Sequence, residues 1–175
     1  MAHRITHRNL PQLFLKARES LMSHFRPILN HFGLTEQQWR ILRALDEHEQ
    51  LEPREICDLC QILSPSMAGV LARMEEMGLV ERKRVATDQR RVQVRLAHKG
   101  DQLIDAMAPL IERQYQLMEE AYGKAVFEAL SDALEGFLGA QATQVQHIEL
   151  PATTPVAAGR RAPLAAVAGK GRQPA

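Results

Sequence analysis

The chain has only two cysteines, Cys57 and Cys60, among its 175 residues. Two thiols do not make a disulfide framework, which excludes the small disulfide-stapled folds. They stand in "CDLC" with no second pair and no βαβ pattern around them. A zinc site or redox motif is therefore not indicated, and the two read as small apolar residues of a helix. No run of 18 apolar residues occurs, which argues against a membrane span. The opening "MAHRITHRNL" lacks the apolar centre of a secretion signal, so a cytoplasmic location is expected. The seven histidines are scattered, and none stands in a His-Glu-x-x-His spacing that would hold a metal. No nucleophile elbow, phosphate loop or dinucleotide fingerprint is present, so neither an enzyme nor a cofactor is expected. Net charge is also nearly missing, at +1. With that length and balance, one globular domain carrying a tail is the expectation.

The charge is missing only on average. Between Leu79 and Gly100 stand Arg82, Lys83, Arg84, Arg90, Arg91, Arg95 and Lys99 against Glu81 and Asp88. That segment carries +5, and the rest of the chain sums to −4. A basic segment on a slightly acidic body suggests a polyanion contact, although charge runs are often only solvated faces. The same segment alternates Val92, Val94 and Leu96 with Gln93 and Arg95, the pattern of a half-buried strand. "LVERKRV" and "RVQVRLA" around the polar link "ATDQR" read as a β-hairpin.

Helices surround it. Leu10, Phe14, Ala17, Leu21, Phe25, Ile28 and Phe32 recur at helical spacing, with Asn9 as cap, Pro11 in the first turn, a kink at Pro27 and a stop at Gly33. "TEQQ" is a capping box that starts a second helix with Trp39, Leu42 and Leu45 on its apolar stripe. A third, short helix starts at Pro53, with Ile56, Leu59, Cys60 and Leu63 on one face. A fourth is expected with Ser64 as cap and Pro65 just inside, turning Met67, Val70, Leu71, Met74 and Met77 to the core and ending at Gly78. Two short helices joined by the tight turn "QILS" make a helix-turn-helix, and the hairpin after them is a wing. Two further helical stretches follow Gly100, the first bent or interrupted at Pro109, with Gly123 between them.

The fold class is therefore mainly α with a small β-wing (α+β). The expected division is residues 1–34 as a dimerisation helix, 35–100 as the winged helix-turn-helix, 101–149 as C-terminal dimerisation helices, and 150–175 as a tail. That tail, "PATTPVAAGRRAPLAAVAGKGRQPA", holds four of the nine prolines and reads as disordered. Its Arg160, Arg161, Lys170 and Arg172 would add at most weak, non-specific attraction to nucleic acid.

In such a fold the second helix of the motif enters the major groove and the wing reaches the backbone or minor groove. Asp88 is expected to pair with the Arg90 guanidinium and fix it. The winged core is too small to bury the apolar stripes of the first and last helices, so a two-fold homodimer is expected. It would set two recognition helices roughly 34 Å apart, on half-sites of a pseudo-palindrome.

"SPSMAGVLARMEEMGLVERKRVATDQRRVQVRLAHKG" resembles the signature of the MarR family: a recognition helix ending in glycine, then "GLVER", then a wing with an Asp-x-Arg pair, then a Lys-Gly helix start. "ARESLMSHFRPIL" followed by "LTEQQWRILRAL" resembles the subgroup that represses homoprotocatechuate (hydroxyphenylacetate) degradation operons. The resemblance covers about residues 10–147. It implies a dimeric repressor on double-stranded DNA, an aromatic-catabolism operon and an aromatic carboxylate effector. Many relatives carry Thr and Arg in the recognition helix where this chain has Ala68 and Gly69. DNA contact is then expected from Ser64, Pro65, Ser66, Ala68, Gly69, Arg73, Asp88, Arg90 and Arg91, with apolar contact to thymine methyls and shape readout.

For the effector, a flat apolar slot with one cation is needed. Arg18 lies at the rim of the first helix's apolar face, four residues from both Phe14 and Met22. Trp39 is the candidate wall, Met22, His24 and Phe25 the candidate lining, and Arg40 a weaker second cation. The plainer reading makes Arg18 a structural ion pair and Trp39 core. Two alternatives stay open: a MarR-type regulator of another phenolic or stress response, and a winged-helix protein-interaction module.

Overall fold

The computed structural model of the protein describes residues 5–85 and 88–150. The tail from residue 151, with its four cations, lies outside the described residues, as does the wing tip at 86–87. The chain divides into two compact units, residues 1–132 and 133–175.

The first unit opens with α1, Leu10–His31. The Asn9 side chain accepts the Gln12 backbone N–H at 3.1 Å, which satisfies one of the helix's orphan donors. Pro27 lies within α1 and does not end it. The carbonyl that loses its partner there belongs to Ser23, which is exposed and open to water. Gly33, with φ of +69°, supplies the left-handed turn into α2, Glu36–His48. The capping box forms: the Thr35 hydroxyl accepts the Gln38 N–H at 3.2 Å, and the Gln38 side chain accepts the Thr35 N–H at 2.9 Å.

α3 covers Pro53–Cys60 and α4 covers Ser64–Glu76. Ser64 is the first helical residue of α4 and not its cap, contrary to expectation. The Leu63 carbonyl accepts the Ser66 N–H at 2.9 Å, so the helix begins one residue earlier and the Ser64 hydroxyl caps nothing. Gly78, at φ +72°, follows the end of α4 as a left-handed glycine. The Lys99 ammonium donates to the Met77 carbonyl at 2.8 Å and helps close the same helix end.

The sheet has three antiparallel strands in the order β1-β3-β2: β1 Gln50–Leu51, β2 Val80–Val85 and β3 Asp88–Leu96. β1 is an addition to the expected hairpin. β3 starts at Asp88, so the link between the strands is shorter than "ATDQR". Val80 pairs with Leu96 and Arg82 with Val94, while the register shifts between Arg84 and Val85 near the tip. Val94 is fully buried and Arg95 beside it is exposed, as the alternation requires.

α5, His98–Tyr122, passes through Pro109 without a break. Asp105, whose carbonyl receives no N–H from Pro109, is exposed, and the opposite stripe of Ile104, Met107, Ile111 and Met118 is buried. At Gly100 a Cβ would stand 2.1 Å from the Leu79 carbonyl oxygen, so the Lys-Gly helix start is a place where backbone crosses backbone. Gly123 separates α5 from α6, Lys124–Gly139. In the second unit the end of α6 runs into a short 3-10 turn, Ala140–Ala142.

The main core joins Leu29, Ile41, Leu42, Leu45, Ile56, Leu71, Met74, Leu79, Val80, Val94 and Met107. Each side chain of this size contributes about 1.5–3 kcal/mol on burial. A second cluster of Phe25, Ile111 and Met118 lies between α1 and α5, and Met22, Ile28 and Trp39 pack against both clusters. α1 and α5 still expose Leu10, Leu13, Leu15, Leu110, Leu117 and Tyr122. Among the described residues no helix is long and apolar enough to cross a membrane.

Candidate nucleic-acid interface

α4 has two distinct sides. Met67, Leu71 and Met74 hold it to the core. Ser64, Pro65, Ser66, Ala68, Gly69 and Arg73 are all exposed. Pro65, Gly69 and Arg73 follow one another at four-residue spacing, which lines them up on one ridge. A groove of about 250 Å³ runs along that ridge, bordered by Thr35, Gln37, Gln38, Ser66, Gly69 and Arg73. On the other flank a larger cavity, about 520 Å³, is bordered by Arg54, Cys57, Asp58, Ser64, Ala68 and Arg82.

The wing's positive charge is rationed. Arg82 forms an ion pair with Glu75 and holds that carboxyl below the usual carboxylate range. Arg95 pairs with Glu81 at 2.5 Å, and Lys83 reaches the same carboxylate at 3.9 Å. Arg91, expected to touch DNA, pairs with Glu52 just before α3, and that carboxylate raises the Arg91 guanidinium above its usual value. Among the described residues Arg84 and Arg90 in the strands, and Arg73 on α4, have no carboxylate partner. Asp88 does not hold the Arg90 guanidinium. Its side chain accepts the Arg90 backbone N–H at 3.0 Å, because a carboxylate two residues back reaches the amide first. The surface left to a polyanion is thus the bare ridge of α4, Arg73, and the unpaired cations of the wing. Arg54 was not singled out by sequence, and Arg84 only as one cation of the basic segment; among the described residues neither has a carboxylate partner.

The effector candidates separate into two groups. Arg18 donates to Glu36 at 2.6 Å, and Arg26 bridges Glu36 at 2.8 Å and Glu19 at 2.5 Å. The two guanidinium hydrogen bonds hold the Glu36 carboxyl below the usual range. Arg18 is therefore engaged, as the plainer reading had it, since Glu36 on the first turn of α2 faces α1 across the Gly33 turn. His24 Nε2 lies 2.8 Å from the Tyr122 hydroxyl, and Phe25 packs on Tyr115 with centroids 4.8 Å apart. None of Arg18, Met22, His24 and Phe25 lines the cavity of about 220 Å³ that Trp39 and Arg40 share with Arg43, Glu47, His48 and Leu59. Arg43 lies over the Trp39 ring, 5.9 Å from its centroid. The Nε–H groups of both Arg40 and Arg43 are buried without a partner among the described residues. Arg43 stands four residues after Trp39, a spacing that could have disclosed it. Cys60 is buried and its thiol is pushed up by that burial, so it is no ready thiolate.

A helix-turn-helix with an exposed second helix and a cationic wing defines a winged-helix DNA-binding protein. The chain belongs to the MarR family of transcriptional regulators. The MarR family model matches residues 32–91. It is 40% identical over 120 residues to the HTH-type transcriptional regulator FarR of Neisseria gonorrhoeae, covering 69% of this chain and 82% of that protein. The homoprotocatechuate degradative operon repressor of Escherichia coli is 38% identical over 132 residues, covering 75% of this chain and 89% of the repressor. The crystal structure of NadR in complex with 4-hydroxyphenylacetate is similar in fold, with a TM-score of 0.70 and 36% identity over 78% of this chain and 97% of NadR.

Proposed function

We propose that the chain acts as a homodimeric repressor of an operon for aromatic-acid breakdown, bound to a pseudo-palindromic operator and released by an aromatic carboxylate of the hydroxyphenylacetate type. The observation that carries the DNA reading is the rationing of charge: four wing cations have carboxylates, while Arg84 and Arg90, together with Arg73, have none among the described residues. Cations left unpaired beside an exposed helix ridge suit a row of phosphates. The apolar side chains that α1 and α5 expose support residues 1–34 and 101–149 as the dimer-forming parts, since a two-fold partner is the usual cover for such faces.

The aromatic-acid reading rests on the name of the Escherichia coli relative, on the ligand of the NadR crystal structure, and on the cavity beside Trp39. Arg40 and Arg43 line that cavity, where Arg43, paired with Glu47 of the same wall at 3.0 Å, would exchange that carboxylate for the ligand's, and Trp39 suits its ring. Trp39 also packs against the Phe25, Ile111 and Met118 cluster. A ligand pressed on Trp39 would therefore be felt by α1 and α5, and through them by the half-site spacing. It shifts that spacing only by binding one arrangement more tightly than the other. Arg18 takes the part of a positioning residue in the Glu36 network.

The test is fluorescence anisotropy of a labelled operator duplex titrated with 4-hydroxyphenylacetate. Wild type and Arg18→Ala are expected to release DNA, and Arg43→Ala to bind DNA but respond only at much higher acid. Release by Arg43→Ala at the wild-type midpoint would remove this cavity from the account.

A further inference from the structure

We propose that Gly69 determines how close α4 comes to the base edges, and that the chain forgoes helix stability at this position to keep that approach. The inference rests on the reading that α4 faces DNA. Glycine in a helix interior is ordinarily explained by backbone conformation or by crowding. Neither applies here. Gly33, Gly78 and Gly123 have positive φ, whereas Gly69 has none, and at Gly100 a Cβ would strike the Leu79 carbonyl. At Gly69 a Cβ would meet nothing within 4 Å among the described residues beyond its chain neighbours and its own helix backbone. Alanine in its place would make a better helix, because glycine loses more backbone freedom on folding. Among the described residues nothing compensates.

Open space alone does not carry the inference, since Gly136 in α6 has it too. The surroundings do. Gly69 stands in the middle of α4's exposed ridge, with Pro65 one turn before it and the carboxylate-free Arg73 one turn after. Its other exposed neighbours, Ser66 and Ala68, are also short. The one long side chain of that stretch is a cation at its end. A helix so bared brings its own backbone, and the Ala68 methyl, against whatever it faces. In a major groove that means contact with thymine C5-methyl groups and with groove width, not hydrogen-bond readout of each base. Gly69 is then a specificity-determining residue that acts by having no side chain.

The test uses the full chain and duplexes selected by wild type from a random pool. Gly69→Ala is expected to raise Tm by about 2–4 °C. Its affinity for the selected duplex should fall on the order of tenfold, the effect of one mismatched base pair. Its binding to random-sequence duplex should stay unchanged. Replacing thymine by uracil at the selected positions should weaken wild type and leave Gly69→Ala nearly indifferent. A Gly69→Ala protein that binds the selected duplex as tightly as wild type overturns the inference, as does one that loses Tm or weakens equally on both duplexes. If wild type selects no consensus at all, the DNA reading itself fails, a result distinct from failure at Gly69.

Discussion

Arg90 and Arg91 are neighbours of the same charge, yet they have different partners within the chain. Arg91 is held by Glu52, while Arg90 lacks a carboxylate among the described residues. Each phosphate that a cation neutralises contributes about 0.9 to the slope of log K against log salt. Arg90→Ala in a dimer removes two such contacts, so the slope should flatten by about 1.8. Between 50 and 200 mM salt, the weakening of binding should then be about twelvefold smaller for the mutant than for wild type. Arg91→Ala should leave the slope nearly as it was, because its charge is already met within the chain. Glu52→Gln should act in the opposite sense, freeing Arg91 and steepening the slope. Anisotropy of a labelled duplex over a salt series reads all three. The reasoning is refuted if Arg91→Ala flattens the slope as much as Arg90→Ala, or if Arg90→Ala leaves it unchanged.

Two further predictions concern stability. Gly100→Ala forces a Cβ into the Leu79 carbonyl and should cost about 2 kcal/mol or more in urea unfolding; a cost near zero would mean that the crossing of α5 over Leu79 is not as described. Glu36 should make stability pH-dependent in one direction. Its carboxyl is held below the usual range by hydrogen bonds from Arg18 and then Arg26, so its contribution is fully present above the unfolded carboxylate pKa of about 4.3 and lost as pH falls through the lower folded value. Wild type should lose more stability than Glu36→Gln between pH 6 and pH 3, and parallel curves for the two proteins would sink this assignment.

Much of the fold was legible because its signals are local. Asn9 and the Thr35–Gln38 box announce helix starts by their own hydrogen bonds, and the alternation of Val92, Val94 and Leu96 announces a strand. β1 was not legible, since two residues carry no period. Pro27, expected to kink α1, and Pro109, expected to bend or interrupt α5, both lie inside continuous helices: each denies an N–H to the carbonyl of an exposed residue, and the buried stripe carries the helix through. Ser64 misled because its type suits a cap, while the cap's place went to Leu63. The site was legible as a list of residue types and not as a set of partners. That Arg91 is spent on Glu52, 39 residues away, and Arg18 on Glu36, depends on how α1, α2, α3 and the wing come together. The α4 ridge was readable because a helix's outer face follows from its inner one.

The central claim, that two copies of this chain hold one duplex until an aromatic acid loosens them, is tested most directly by sedimentation of the protein with its selected duplex, with and without 4-hydroxyphenylacetate. The account predicts two chains per duplex at micromolar concentration, and free dimer and free duplex once the acid is present. One chain per duplex, or a complex that persists at saturating acid, would contradict it.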